Sequence, residues 1–200
     1  MLFVVNTHLT MAIPTRSLLL LFLMLLIMPL HVVQADDQLF TDTLQLAEQG
    51  DGEAQFSLGL MYDTGDRVER NPEQAVHWFK KAAEAEIAGA CLYLGMKYAF
   101  GAGVNQDRAK AQYWYEQAAV QGWPQAAFLL GTLYLDSPAT DQVRGCAWLG
   151  IAAEQGYPGA GQARQQVCSG LNDKIAQKTK KLGKQLKEQI YPGDATSATE

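Results

Sequence analysis

Histidine and cysteine are scarce in this sequence, with only three of each in 200 residues. His8 and His31 both precede residue 35, so the remainder of the chain contains His77 alone. A zinc site needs several nitrogen or sulfur ligands that are held close together. The few ligands present are widely spaced, and we therefore expect neither a metal nor any other cofactor.

Catalytic motifs are also missing. The sequence has no G-x-S-x-G nucleophile turn, and no serine is followed three positions later by the lysine that serine β-lactamases require. Gly183-Lys184 lacks the upstream glycine of a phosphate-binding loop. We therefore predict no catalytic residues and a protein that is not an enzyme.

Positive charge is the minority charge, with 16 Lys and Arg against 21 Asp and Glu and a net charge of −5. Binding to nucleic acid depends largely on basic side chains that neutralise phosphates. We therefore exclude nucleic acid as a partner.

One dense apolar run, residues 18–30, follows Arg16. Its 13 residues fall short of the ~20 that a membrane-spanning helix needs. Val33-Gln34-Ala35 then supplies small residues at the positions that a signal peptidase recognises. We expect a signal peptide over 1–35, cleaved after Ala35, and a periplasmic or secreted mature chain without a membrane span. An uncleaved membrane anchor is the alternative.

The rest of the chain repeats with a period of 36 residues. An alanine, a leucine, a glycine and a tyrosine each recur twice at this spacing: Ala54, Ala90, Ala126; Leu58, Leu94, Leu130; Gly59, Gly95, Gly131; Tyr62, Tyr98, Tyr134. A tryptophan followed by an alanine pair also recurs, and its third copy comes two residues early: Trp78, Trp114, Trp148. Because the tryptophans share one offset, we expect them to pack between helices.

Each copy predicts a pair of helices. The four-residue steps from Ala54 to Leu58 to Tyr62 form one stripe of an α-helix. First helices are expected over 52–63, 88–99 and 124–135, and second helices over 72–86, 107–121 and 141–155. A mid-helix glycine such as Gly59 costs about 1 kcal/mol, so its recurrence indicates close helix–helix approach.

The predicted fold is all-α, a right-handed α/α superhelix of tetratricopeptide-like helix pairs with capping helices. After the signal peptide, the predicted units are an N-terminal capping helix in 36–51, repeats in 52–87, 88–123 and 124–157, a partial repeat with a C-terminal capping helix in 158–190, and a disordered tail in 191–200.

The repeated pattern resembles the Sel-one-like repeat (SLR) family, a relative of the tetratricopeptide repeat. Residues 90–122 show it most completely, with Ala-x3-Leu-Gly-x2-Tyr-x2-Gly and then Ala-x2-Trp-aromatic-x2-Ala-Ala-x2-Gly. The resemblance implies an adaptor role, a curved scaffold that holds partner proteins or peptides. Together with the signal sequence and the missing catalytic motifs, it leads us to expect an exported, non-catalytic monomer whose protein or peptide partner is unidentified. It also leaves one alternative, because some cysteine-rich members bind or hydrolyse β-lactams or cell-wall fragments.

In the tetratricopeptide layout, the concave wall is lined by first-helix positions two before and two after the repeated leucine. The residues that we predict to bind the partner are Phe56, Leu60, Leu92, Met96, Phe128 and, one turn further, Leu135. Six apolar residues on an exposed wall would mark a partner site. The alternatives are that the terminal helix covers this wall, or that the residues pack between repeats.

The three cysteines allow one disulfide, which an oxidising compartment would favour. Cys146 and Cys168 lie at nearly equal distances from Gly156, where a helical hairpin is expected to turn. Equal rise per residue places them side by side, whereas Cys91 lies in the second repeat, too far away to pair. We predict a Cys146–Cys168 disulfide and a buried free thiol at Cys91, with three unpaired thiols as the alternative.

Export can be tested directly. N-terminal sequencing of the protein recovered from a bacterial envelope fraction is expected to begin at Asp36, because the peptidase should cut after Ala35. A product that retains residues 20–30 would instead indicate the anchor.

Overall fold

The computed structural model describes residues 38–136 and 141–193. Over these residues the chain forms nine helices and no strand. The helices are α1 (38–48), α2 (Gly52–Thr64), α3 (Pro72–Glu84), α4 (Ala88–Phe100), α5 (Arg108–Val120), α6 (Pro124–Leu135), α7 (Gln142–Glu154), α8 (Ala160–Cys168) and α9 (Asp173–Ile190). The predicted all-α superhelix is confirmed, and the paired helices begin and end within two residues of their predicted bounds.

The chain divides into two units, Met1–Asp42 and Thr43–Glu200. Only residues 38–42 of the first unit are described. They form the start of α1, where Gln38 Nε2 donates a hydrogen bond to Asp42 Oδ1 at 2.7 Å. The predicted signal peptide and cleavage site lie outside the described residues. None of the described helices is both long and apolar enough to span a membrane.

The second helices begin at side chains that cap their free backbone N–H groups. Asn71, Asp107 and Asp141 each accept a hydrogen bond from the N–H group three residues on, at 2.9–3.0 Å. Such caps stabilise a helix by roughly 1 kcal/mol. The backbone N–H of Lys110 also holds the pKa of Asp107 below its usual value. These caps define where α3, α5 and α7 start.

Within each repeat, the first helix packs closely against the second helix at the recurring glycine. A Cβ added at Gly59 would lie 2.6 Å from the Phe79 ring, and one added at Gly95 would lie 2.3 Å from the Tyr115 ring. Leu94 is fully buried at the same contact. The close approach predicted from the glycine spacing is therefore confirmed. Burial of Tyr115 also raises its pKa to about 12.

The last two helices both pack against α7. The α9 helix turns its apolar side, including Leu186 and Ile190, toward α7 and also touches α5. The α8 helix packs on α7 but scarcely touches α9. The C-terminal helix is thus an amphipathic cap, as the sequence predicts, and it lies on the second helices.

The predicted disulfide is present. Cys146 of α7 and Cys168 at the end of α8 are bonded, with a Cα–Cα separation of 6.0 Å. Cys91 is a free thiol, and its burial raises its pKa. The disulfide therefore ties the short α8 helix to the third repeat.

The close approach at Gly95 predicts that Gly95→Ala lowers the free energy of unfolding. Overpacking against Tyr115 costs about 1–3 kcal/mol, which outweighs the gain of about 1 kcal/mol from replacing a helical glycine. Urea unfolding followed by circular dichroism measures the change. Gly183→Ala is the matched control, because a Cβ there meets no atom within 4 Å, and this variant should be stabilised. Equal stabilisation of both variants would contradict the close approach.

The disulfide should stabilise the protein by about 3 kcal/mol, because closing a loop in the unfolded chain lowers the conformational entropy of the unfolded state. Dithiothreitol is therefore expected to lower the urea midpoint of the wild type. It should have no such effect on a Cys146→Ala/Cys168→Ala variant. Cys91→Ala is the control, since it leaves the disulfide intact and should respond to the reductant like the wild type. Insensitivity of the wild type to the reductant would contradict this role of the bond.

Candidate binding surface

The first helices of the three repeats pack mainly on second helices, and α1 also contacts α2 through the hydrogen bond that Gln55 Nε2 donates to the Ala47 carbonyl. The α2 helix packs on α3, α4 packs between α3 and α5, and α6 packs between α5 and α7. The terminal helix α9 has its main contacts with α7 and α5. The alternative in which α9 covers the first helices is therefore wrong.

Phe56 lies on α2 at the junction of the first two repeats. Its ring centroid is 5.9 Å from that of Phe79 and 5.7 Å from that of Tyr93, in tilted and edge-on geometry. A Cβ added at Gly89 of α4 would come within 2.9 Å of the same ring. Phe56 therefore packs between repeats and leaves only part of its surface to solvent.

Phe128 and Leu135 make similar contacts in the third repeat. The Phe128 ring lies 4.9 Å from the Tyr157 ring, which belongs to the turn before α8. Leu135 lies over Gly145 of α7, where an added Cβ would be 2.5 Å from its Cγ. Both side chains are half-buried. These contacts lie within the third repeat, so part of each side chain packs inside its own repeat and the rest remains exposed.

Leu92 requires a correction. We predicted it to line the exposed wall, but only 2% of its surface is accessible. It belongs to the same buried cluster as Cys91 and Leu94. A residue two positions before the repeated leucine turns into the core at this point of the second repeat, so Leu92 offers no surface to a partner.

Leu60 and Met96 remain half-buried at the edge of the core. With Leu92 removed, five predicted residues keep some exposed surface on the first helices. We refer to them as the first-helix wall: Phe56, Leu60, Met96, Phe128 and Leu135.

A pocket of about 310 Å³ opens beside Phe56 at the start of α2 and α4. Its other walls include Glu53, Glu86 and Trp123, and Trp123 is 39% exposed. The pocket combines aromatic surface with two exposed carboxylates. It extends the first-helix wall toward the turns between repeats.

Sequence reasoning missed an ion pair on the first helices. Lys97 of α4 is only 7% exposed, and its Nζ donates to Oδ1 of Asp63 on α2. The corresponding positions in the other two copies are Met61 and Leu133. A lysine at an otherwise apolar repeat position was the available signal, and it predicts a buried partner of opposite charge. The pair links the first repeat to the second.

The three repeated tryptophans occupy packing positions, as expected. Trp78 and Trp148 are buried and Trp114 is half-buried. The exposed His77 contacts Trp78 edge-on, with ring centroids 5.2 Å apart. In the described ranges, no group of three or more His, Cys, Asp or Glu side chains is placed to hold a metal ion.

Comparison with known proteins places these features in a family. The Sel1 repeat model matches residues 52–86, 88–123 and 124–157. A Sel1 repeat protein from Oxalobacter formigenes has a similar crystal structure, with 39% sequence identity and a TM-score of 0.57, over 63% of this chain and 96% of that chain. A comparison with curated proteins found no match.

A second solved structure is that of c5321, a protective antigen of uropathogenic Escherichia coli strains with an SLR fold. It shares 24% identity and a TM-score of 0.58, over 80% of this chain and 44% of that chain. Our chain spans less than half of that protein, and the likeness shows the fold alone. Because three Sel1 repeats fill more than half of its length, the chain belongs to the Sel1 repeat family.

Proposed function

We propose that the protein is an exported, non-catalytic scaffold that holds a protein or peptide partner along the first-helix wall. The observation that carries this proposal is the set of half-buried apolar side chains on α2, α4 and α6, which lie outside the main contacts of α9. Apolar surface of this kind is a common feature of partner sites. Family membership supports the scaffold role, since Sel1 repeats resemble other stacked helix pairs that bind along one face.

The wall suits an elongated ligand better than a small molecule. Leu60 and Met96 occupy equivalent positions in the first and second repeats, 36 residues apart. Apolar anchors at regular steps are how grooves select helical or extended peptides. The half-buried state of these side chains also means that their rotamers are already held by packing, which reduces the entropy lost on binding.

Export rests on the amino-terminal sequence, with its short apolar run and the small residues before Asp36. The disulfide supports the same proposal, because such bonds form and persist in oxidising compartments. A periplasmic or secreted monomer is the corresponding proposal for the native state.

Binding along the wall predicts that Leu60→Ser/Met96→Ser weakens partner capture about tenfold, since central apolar anchors typically contribute more than about 1 kcal/mol each. Capture is measured by crosslinking purified protein in a native envelope extract, followed by mass spectrometry and titration of the recovered partner. Circular dichroism should be unchanged, because both side chains are only half-buried.

Tyr113→Ser/Val167→Ser is the matched control. Both residues are exposed apolar side chains, on α5 and α8, away from the first helices. The control should capture the partner like the wild type. Equal capture by both variants would show that the wall is not the site, and collapse of the Leu60→Ser/Met96→Ser fold would assign these residues to the core. Hydrolysis of nitrocefin by the wild type would support the hydrolase alternative instead.

A further inference from the structure

A second concave surface lies at the carboxyl-terminal end, away from the residues of the first-helix wall. The α8 and α9 helices both pack on α7 but scarcely touch each other, so they form two sides of a cleft with α7 as its floor. The cleft has a volume of about 1350 Å³. We refer to it as the α7–α9 cleft. Its floor includes Cys146 and Ile151, and its sides include Arg164 and Lys180.

The cleft is basic in a protein that is acidic as a whole. The α9 helix contains six lysines and two acidic residues, whereas the whole chain has a net charge of −5. Four basic side chains and two glutamates line the cleft: Arg164, Lys180, Lys184, Lys187, Glu154 and Glu188. The cleft therefore has a charge excess of two positive groups.

Each glutamate already faces a lysine. Lys187 Nζ lies 2.5 Å from Glu154 and Lys184 Nζ lies 4.0 Å from Glu188. Both pairs are exposed, so they contribute little to stability and can exchange with other carboxylates. Arg164 and Lys180 make no ion pair within the described part of the chain, and the Arg164 guanidinium lies over Gly150 on the floor. These two cations face the cleft without a carboxylate partner.

Two buried hydrogen-bonding groups next to the cleft lack partners. The hydroxyl of Thr179, which is 8% exposed, and Oε1 of Gln155 have no hydrogen-bond partner among the residues that the structure describes. The Gln155 side chain is held in place because its Nε2 donates to the Tyr191 hydroxyl at 2.8 Å. Buried polar groups left unpaired are costly. Both atoms are themselves buried from solvent, so a ligand in the cleft meets the exposed cations Arg164 and Lys180 and not these two groups.

We infer that the α7–α9 cleft binds an acidic peptide segment of a partner protein, with carboxylates at Arg164 and Lys180 and its backbone along the cleft. Half-exposed apolar surface at Leu171 and Gly183 provides room for small or aliphatic side chains between the acidic ones. The α9 helix has 18 residues and is about 27 Å long. An extended chain covers that length with roughly eight residues.

The test uses a fluorescein-labelled peptide of alternating Glu and Leu, about eight residues long, titrated with the purified protein in a fluorescence anisotropy assay. Arg164→Glu/Lys180→Glu is expected to raise the Kd about tenfold or more, equivalent to about 1.4 kcal/mol. The affinity of the wild type should fall as salt concentration rises, because exposed charge pairs are screened. A peptide with Lys in place of Glu should not bind.

Lys174→Glu/Lys178→Glu is the matched control, because both lysines lie on the exposed surface of α9 outside the cleft lining. It changes the net charge by the same amount and should leave the Kd within about threefold of the wild type, about 0.7 kcal/mol. Equal weakening by both variants would overturn the assignment in favour of general attraction to α9. Absence of peptide binding to the wild type would also overturn the assignment. So would a dimer in light scattering that Arg164→Glu/Lys180→Glu abolishes, because that result would assign the cleft to a second copy of the chain.

Discussion

In each repeat, the packing of the two helices depends on the contact between a glycine of the first helix and the second helix. At Gly59 and Gly95 the first helix lies directly on the aromatic ring of Phe79 or Tyr115. Any side chain at those glycines would push the helices apart. The resulting short separation lets Leu58 and Leu94 become fully buried although each repeat is small. In the third repeat the first helix approaches the backbone of the second helix, because a Cβ added at Gly131 would lie 3.0 Å from the Gly145 carbonyl oxygen and from Cγ of Leu149.

The repeat pattern made the fold predictable because each local signal was present several times. Leu58, Leu94 and Leu130 had the same offset, so the helix assignment depended on agreement among copies and not on one propensity. The disulfide was predictable for a related reason, since the turn near Gly156 placed Cys146 and Cys168 at similar distances along two antiparallel helices.

Features that differ between repeats were less predictable. Leu92 is buried in the core cluster although the tetratricopeptide layout placed its position on the wall, whereas Phe128 at the equivalent position of the third repeat is half-buried. The Lys97–Asp63 ion pair joins residues that are 34 positions apart and departs from the repeat consensus. The α7–α9 cleft depends on the directions in which α8 and α9 leave α7, and these directions have no counterpart in the preceding repeats.

The disulfide has a consequence for the order in which the array loses structure. In a linear stack of repeats, each unit is held only by its neighbours, so loss of structure starts at an end. In the oxidised protein, the disulfide between α7 and α8 holds the carboxyl-terminal end of the stack together covalently. No described disulfide joins α2 to its neighbours, so fraying is favoured at the amino-terminal repeat. In the oxidised protein the three repeats are therefore expected to unfold in order from the amino-terminal end, and the third repeat should become accessible to proteases last.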